Sequence, residues 1–416
     1  MEVPMETLVS RVCGLDVHRD EVTACIAITE LGRKPHREIR RFRTFTASLL
    51  ELGSWLKATG VTHVGMESTG VYWKPVYAVL EEVGGLELIV GNAQHMKNVP
   101  GRKTDQKDAE WIAKLVQHGL VRPSYVPTAE LRDLRDLVRY RRSLVNARSA
   151  ERNRLQKVLQ TANVKLASVA SDVFGKSGMK MLRAMANGET DPAVLASLAE
   201  GLLRKKLGEL RVALDGRLRE HHRFMLRQQL QRLDDADAMV AAVEAEIERR
   251  LAPHDHVVEL LCTIPGVDRI AAAALLAEIG TDVKAFPTVQ HLAAWAGICP
   301  GNHESAGKSR NVTARKGNVH LRTALVEAAQ AARNKRGSYL RDKYHRLKAR
   351  RGGKRAIVAI AHKILIAAYH MLDRGQPYKE LGEVFLDRLN RQRTTHNLVR
   401  RLQSLGWEVD LRPVAA

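Results

Sequence analysis

The sequence predicts a mixed α/β domain at the start of the chain, followed by two regions that are almost entirely helical. Short runs of β-branched and apolar residues alternate with helix-like segments over residues 11–125. Proline is scarce over residues 128–252, where leucine recurs every three or four residues. A third region begins at residue 255, with two short helical runs joined by the turn IPGV.

The first region has the element order of an RNase H-like fold. The segments RVCGLDV, VTACIAITE and HREIRRFRTF predict three consecutive strands. Helix, strand, helix, strand and helix follow, and the last helix lies in TDQKDAEWIAKLVQHGL. A Rossmann domain would open strand–helix–strand with a glycine-rich turn, which is absent here. We therefore predict an RNase H-like α/β domain over residues 10–125.

The second region, residues 128–252, has the spacing of a coiled coil. Apolar residues keep three- and four-residue steps from Leu203 to Leu218 and again from Leu226 to Ile247, with a break between the two runs. An arginine-rich helix precedes them in LRDLRDLVRYRRSLVNARSAERNRLQK. We predict a helical, coiled-coil region that serves dimerisation and nucleic-acid contact.

The third region, residues 255–376, is predicted to be a helical domain, with a basic tail over residues 377–416. The IPGV turn, which contains Gly266, is typical of a helix-hairpin-helix whose backbone N–H groups hold a DNA phosphate. An ordinary packing turn between two helices is the alternative. The run AIVAIAHKILIAAYHML is apolar almost all round and predicts the core helix of this domain.

The composition favours a polyanionic partner. Lys and Arg number 67 against 46 Asp and Glu, a net charge of +21 with a pI near 10.0. Such a surplus is self-repulsive unless a polyanion binds, so nucleic acid is the first candidate and an anionic membrane surface the second. We expect no membrane-spanning helix and no signal peptide. The four cysteines form no CxxC pair, which fits a reducing cytoplasm.

Acidic residues are concentrated where this basic chain would need them for metal binding. Asp16 ends the first strand, Glu67 ends the central strand, and Asp105 and Asp108 share one face at a helix start. If the two strands are adjacent, these carboxylates meet at one edge of the sheet. Oxygen ligands suit Mg²⁺ (Mn²⁺ is also acceptable), which bridges to substrate phosphate. Taken singly, each acid has a structural alternative as a turn or helix-start residue.

A second candidate site lies in the loop GNHESAGKSRNVTARKGN. Small residues follow Ser305, so its hydroxyl is open to a phosphate, and nearby cations would stabilise the added charge. Most loop serines only form turns, so this signal is weak by itself. The residues predicted to contact nucleic acid are Lys97, Arg102, Lys103, Arg132, Arg135, Arg139, Arg142, Gly266, Lys308, Arg310, Arg315 and Lys316. For the arginine-rich helix, a solvated face is an equally good interpretation.

Several motifs in one order resemble a known family. GLDVH, GMESTGVYW, GRKTDQKDAEWIAKL, TIPGVDRIAAAALLAEIG, AGICPGNHESAGKSR and KGNVHLRTAL resemble the DEDD transposases of bacterial insertion sequences. This is the insertion-sequence-110 family, which is related to the Piv-type DNA invertases. The resemblance covers about residues 10–375. The ensemble of motifs is specific, whereas any one motif is not.

The resemblance implies a RuvC-like N-terminal domain whose metal-binding tetrad matches Asp16, Glu67, Asp105 and Asp108. It implies a coiled coil and a C-terminal transposase domain whose catalytic serine matches Ser305. It further implies Mg²⁺, homodimers or homotetramers on donor and target DNA, a site shared between subunits, and a structured guide, the bridge RNA. The chain departs from the family pattern with SAGK in place of SGGK, and with His18-Arg19 where a lysine is usual.

We therefore expect an RNA-guided DNA transposase of a bacterial insertion sequence, cytoplasmic and associated with the nucleoid. Three alternatives stay open. One is a Piv-like site-specific invertase with the same chemistry. Another is a RuvC-like junction endonuclease in which Ser305 has no role. The third is a non-enzymatic nucleic-acid-binding coiled-coil protein whose carboxylates are structural.

Overall fold

The computed structural model describes residues 7–30, 36–97, 108–299, 304–305, 308–309 and 317–412. Contacts divide the chain into two compact units, Met1–Ala129 and Glu130–Ala416. The first unit is mixed α/β and the second is mostly helical, as the sequence predicts. The predicted subdivision of the second unit near residues 252–255 and at residue 376 stays a prediction.

The first unit is built on a five-stranded sheet of order β3-β2-β1-β4-β5. Its strands are β1 (Arg11–Val17), β2 (Glu21–Ile28), β3 (His36–Arg43), β4 (His63–Glu67) and β5 (Glu87–Gly91). The first three form an antiparallel meander, and β4 runs parallel to both β1 and β5. All five predicted strands are present, and β1 and β4 are adjacent.

Helices cover both faces of this sheet. They are α1 (Thr46–Ala58), α2 (Trp73–Val83), α3 (Ala93–Lys97) and α4 (Asp108–Gln117). Cys13 and Leu15 of β1 enter a core with apolar residues of α1 and α2. Val12, on the other face, enters a second core with residues of α4. Both faces of β1 are therefore buried, which explains its nearly continuous apolar sequence.

The second unit begins with two long helices separated by a small helical subdomain. The elements are α5 (Ala129–Thr161), α6 (Leu166–Val169), α7 (Lys176–Ala186), α8 (Pro192–Ser197), a 3₁₀ segment (Gly201–Lys206), α9 (Leu207–Leu214) and α10 (Glu220–Leu251). Ion pairs join α5 to α10. Arg148 contacts Asp237 at 2.8 Å, and Asp133 contacts Arg250 at 2.9 Å. The residue numbers run in opposite directions, so the two helices pair antiparallel.

The first half of the predicted leucine seam is not a continuous coiled-coil helix. The chain is 3₁₀-helical up to Lys206, forms only α9, and turns before α10. Leu210 and Leu214 of α9 enter the same core as Leu155 of α5 and Leu226 of α10. The predicted continuous seam from Leu203 to Leu218 is therefore wrong, because Leu210 and Leu214 belong to the core of a folded subdomain and Leu207 is exposed.

The rest of the second unit is a group of shorter helices. They are a 3₁₀ turn (Ala252–His254), α11 (Asp255–Cys262), α12 (Arg269–Ile279), α13 (Val289–Trp295), the two-residue strands β6 (Glu304–Ser305) and β7 (Lys308–Ser309), α14 (Val319–Ala332), α15 (Tyr339–Arg351), α16 (Gly353–Arg374), α17 (Phe385–Leu389) and α18 (Arg391–Ser404). The helix–turn–helix predicted around IPGV is α11 and α12.

Helix α16 is the core helix that the sequence predicts. Eight of its residues, from Ala356 to Met371, are buried, and it packs against α14 and α15. Within the described part of the chain it is the one helix long and apolar enough to cross a membrane, with half of its apolar window buried. This helix does not overturn the expectation of no membrane-spanning helix, because a buried core helix passes the same test of length and composition. Burial among other helices is the ordinary environment of a core helix.

Candidate active site

Three carboxylates from separate segments line one cleft at the edge of the first unit's sheet. Leu15 of β1 pairs with Met66 of β4, so Asp16 and Glu67, the next residues of these parallel strands, lie side by side near the carboxyl ends of the strands. Asp108 is the first residue of α4. Together with neighbouring turn residues, these three acids line a cavity of about 650 Å³. Three of the four predicted tetrad members are thus brought together.

Glycine in β1 is what lets α4 deliver its acid to this cleft. A Cβ on Gly14 would lie 2.2 Å from the carbonyl oxygen of Ala109 and 2.3 Å from the amide nitrogen of Ala113. No larger residue fits there without displacing the helix backbone. The first turn of α4, with Asp108, is therefore seated directly on β1, the strand that carries Asp16.

Polar neighbours orient two of the acids. The Nε2 atom of His18 lies 3.1 Å from Oδ2 of Asp16, and the hydroxyl of Thr69 donates a 2.6 Å hydrogen bond to Oε1 of Glu67. The amide of His18 also donates to the carbonyl of Glu21, which closes the turn after β1. Thr69 was not predicted from the sequence.

The donor set suits a divalent cation that is completed by substrate. Within the described ranges, no three acidic, histidine or cysteine side chains form a ready cage for a metal ion. Mg²⁺ is usually held by one or two carboxylates together with waters and substrate phosphates. Acids spaced around an open cleft fit that pattern better than a closed all-protein site.

Asp105 lies outside the described residues, as do Arg102 and Lys103. Lys97 ends α3, but its side chain is also outside the described part. The assignment of these four residues stays a prediction.

Ser305 lies in a short hairpin of the second unit. Its strand β6 pairs antiparallel with β7, and the register sets Ser305 directly opposite Lys308. The strand pairing thus places the backbone of Ser305, the predicted nucleophile, next to the backbone of Lys308, one of the predicted nucleic-acid contacts. The side chains of both, and all of Arg310, Arg315 and Lys316, lie outside the described residues.

The arginine-rich helix α5 is held by carboxylates of its own chain. Arg139 makes a bidentate contact to Glu278 at 2.8 and 2.9 Å, and Arg142 makes one to Glu327 at 2.5 and 2.6 Å. Arg135 donates to the carbonyl oxygens of Ala277 and Glu278 at 2.9 and 3.1 Å. The phosphate contacts predicted for Arg132, Arg135, Arg139 and Arg142 stay a prediction. Any such contact by Arg142 competes with an existing ion pair.

Gly266 has a packing role in the turn between α11 and α12. Its φ is +87°, and a Cβ there would lie 2.3 Å from the carbonyl oxygen of Ala328 in α14. Only glycine allows this turn to approach α14 so closely. This geometry supports the packing alternative, and phosphate binding at Gly266 stays a prediction.

Two family profiles match the chain on either side of the helical subdomain. The DEDD transposase profile of IS110 elements matches residues 13–164, which include the acidic cleft. The profile described as transposase, IS116/IS110/IS902 family, matches residues 258–345, which include the Ser305 hairpin. The chain belongs to the IS110 family of transposases. DNA recombination is the activity that this family membership indicates.

Similar proteins include transposases and inverting proteins. The IS110-family chain is 26% identical to the transposase for insertion sequence element IS1111A of Coxiella burnetii, over 89% of this chain and 91% of that protein. It is 29% identical to a probable family 20 transposase of Pseudomonas aeruginosa, over 64% and 70% of the two chains. A pilin gene-inverting protein of Moraxella bovis is 29% identical over 30% of this chain and 39% of its own.

Sequence reasoning missed Glu278, the most buried acid of this IS110-family protein's second unit among the described residues. It is 2% exposed and lies in α12, RIAAAALLAEI, where it is the one acidic residue. Burial would raise the pKa of Glu278, but the hydrogen bond from Arg139 and the charges of Arg135 and Arg139 hold the pKa below its ordinary value. A lone acid in an apolar helix was the signal that could have revealed it.

Proposed function

We propose that this IS110-family transposase cuts and rejoins donor and target DNA through the acidic cleft and Ser305. The observation that carries the proposal is the convergence of Asp16, Glu67 and Asp108 on one open cleft in a chain of net charge +21. A basic surface draws in DNA, and an acidic cleft within it needs a cation to receive a phosphate.

We assign the first unit to the RNase H-like, RuvC-like fold. An antiparallel meander β3-β2-β1 extended by parallel strands β4 and β5 supports the assignment, as does the family profile over this region. The tetrad is Asp16, Glu67, Asp108 and, by the family resemblance, Asp105. When bound there, Mg²⁺ would offset charge on the scissile phosphate.

Ser305 is the proposed nucleophile. Its oxygen forms a bond to the DNA phosphorus, its proton passes to a base or solvent, and one DNA oxygen leaves with a proton. The serine ester conserves the energy of the broken phosphodiester bond. An incoming DNA hydroxyl can then displace the serine and reseal the strand without an external energy source. The small backbone hairpin around Ser305 and Lys308 supports this role, because it carries a hydroxyl and a cation together.

The acids and the serine belong to the two different units of the chain. We propose that the site is completed between subunits of a homodimer or homotetramer, as the resemblance implies. A structured bridge RNA is the proposed guide, since the resemblance implies one and the charge surplus is large enough for two nucleic acids. Sequencing of RNA that co-purifies with the protein tests this part.

A Piv-like invertase is the second candidate, favoured by the similarity to the pilin gene-inverting proteins. A paired assay separates the two. Purified protein with its co-purified RNA is given one plasmid with two sites in inverted orientation, and a separate donor and target pair. A transposase joins donor to target and loses activity after ribonuclease treatment. An unguided invertase inverts the plasmid segment and keeps its activity.

Metal-dependent strand cleavage tests the enzymatic proposal as a whole. We expect cleavage in Mg²⁺ and none in EDTA, with Asp16→Asn inactive in both. Binding without cleavage under every condition would favour the non-enzymatic alternative.

A further inference from the structure

The base of the Ser305 loop is held closed by two backbone contacts. Gly317 approaches Gly297 so closely that a Cβ on Gly317 would lie 2.4 Å from the amide nitrogen of Gly297. Next to it, the amide of Asn318 donates a 3.0 Å hydrogen bond to the carbonyl of Trp295, at the end of α13. The described residues on the two sides of the Ser305 segment, at the end of α13 and at Gly317 and Asn318, are thus in contact with each other.

Asn318 links this base to the helix that follows. Its Oδ1 atom accepts hydrogen bonds from the amides of His320 and Leu321 at 3.0 and 3.1 Å, which caps α14. Its Nδ2 atom donates at 2.6 Å to Oε2 of Glu278. The orientation of the amide follows from its partners, because Oδ1 faces two donors and Nδ2 faces a carboxylate.

Glu278 is the buried centre of the arrangement. Besides Asn318, it receives both guanidinium contacts of Arg139, and it lies 3.4 Å from Nε of Arg135. A buried ion pair is seldom the most stable solution for a core, since apolar residues of similar volume often do as well or better. Capping does not explain the pair either, because Asp or Ser would cap α14 as well as Asn does. What only Asn adds is the donor that ties the loop base to Glu278.

We propose that Glu278 and Asn318 are positioning residues for Ser305: the Glu278 carboxylate, fixed by Arg139, holds the Asn318 amide, and Asn318 keeps the base of the Ser305 loop closed. The inference rests on the proposed role of Ser305 as nucleophile. A nucleophile displaced by about 1 Å can lose on the order of a hundredfold in rate, so rigid anchoring of its loop has a direct catalytic value.

The test inverts the polarity of the Asn318–Glu278 hydrogen bond. Asn318→Asp keeps the helix cap but sets a second carboxylate against Glu278, which opens the base. Adding Glu278→Gln restores a donor–acceptor pair with the roles exchanged. Asp191→Ala is the control, because it removes the side-chain cap of α8 in the same unit and touches neither the base nor its partners. Asn318→Ser, which adds no charge, replaces Asn318→Asp if that variant does not fold.

Two readouts are needed. Hydrogen exchange of the peptide containing residues 317–321 reports on opening of the base without any chemistry. Single-turnover formation of the Ser305–DNA adduct at saturating DNA reports on positioning, alongside DNA affinity. We expect Asn318→Asp to exchange faster and to form the adduct at least about tenfold more slowly at unchanged DNA affinity. The double variant should be faster in adduct formation than Asn318→Asp, and Asp191→Ala should match the wild type in both readouts.

The proposal is overturned if Asn318→Asp forms the adduct at the wild-type rate. It is also overturned if the double variant returns hydrogen exchange to the wild-type rate but leaves adduct formation as slow as in Asn318→Asp. If the wild-type protein forms no adduct, the proposed function of Ser305 fails instead. The exchange measurement then still decides whether the contact between Glu278 and Asn318 holds the base, and unchanged exchange in Asn318→Asp would refute that contact's role.

Discussion

Gly14 of β1 lies so close to Ala109 of α4 that a Cβ on the glycine would be 2.2 Å from the Ala109 carbonyl oxygen. This contact seats Asp108, the first residue of α4, beside the strand that carries Asp16. A substitution at Gly14 therefore acts on the acidic cleft although the residue itself carries no functional group.

Gly14→Ala should displace α4 and impair cleavage. Overpacking of this kind costs about 1–3 kcal/mol, so the melting temperature of the first unit should fall. Gly208→Ala is the matched control, because Gly208 is helical in α9 with open space around its Cα and should be neutral or slightly stabilising. Thermal unfolding followed by circular dichroism, together with strand cleavage, measures both effects. Equal stability and activity in the two variants would contradict the close contact.

Asp16→Asn, Glu67→Gln, Asp105→Asn and Asp108→Asn should each abolish recombination and leave the fold and DNA affinity nearly intact, because they remove proposed metal ligands and not core packing. Asp20→Asn is the control, since Asp20 lines the same cleft as a solvated turn residue. Recombination in Mg²⁺ is the assay. Wild-type activity of purified Asp105→Asn would remove that residue from the tetrad and leave it as a helix-start acid.

The salt dependence of binding tests the arginine-rich helix. For duplex DNA, log affinity falls with log salt by about 0.9 per phosphate contact, and for single strands by about 0.7. Changing Arg132, Arg135, Arg139 and Arg142 together to alanine should flatten that slope. Since Arg135 and Arg139 also hold Glu278, Arg142→Ala alone is the cleaner variant. Arg249→Ala, on the exposed pair with Glu246, serves as the control. An unchanged slope would place the contacts elsewhere.

Acidification should weaken the Glu278 network. The pKa of Glu278 in the folded protein lies below the ordinary 4.5, so the ionised carboxylate contributes stability above pH 4.5. That contribution is lost as pH falls through the lower, folded-state pKa. Two variants are therefore compared, His320→Asn and the double variant His320→Asn/Glu278→Gln. The single variant should have the higher unfolding free energy. The difference between the two should be constant near neutral pH and should shrink below pH 4.5. The His320 substitution removes a neighbouring titratable group, whose pKa is lowered from its ordinary value by burial. A difference independent of pH down to acid unfolding would contradict the assignment.

The sheet and the acidic cleft were predictable because their signals are local. Short runs of apolar and β-branched residues identify the strands, and Asp16 and Glu67 stand at or next to the last residue of their strands. The leucines from Leu203 to Leu218 were misassigned because spacing shows that a face is buried but not which helix covers it. The Glu278–Asn318 contact joins residues forty positions apart and leaves no periodic trace in the sequence.

A search for a covalent protein–DNA adduct after denaturation decides whether Ser305 is the nucleophile. We expect an adduct that maps to the peptide containing Ser305, disappears in Ser305→Ala and persists in Ser309→Ala. Mixing Ser305→Ala with Asp16→Asn should restore part of the activity, because a mixed oligomer can assemble one intact site from two subunits. Full-rate cleavage by Ser305→Ala, with no adduct in the wild-type protein, would contradict the recombinase mechanism and leave a metal-dependent junction endonuclease as the better description.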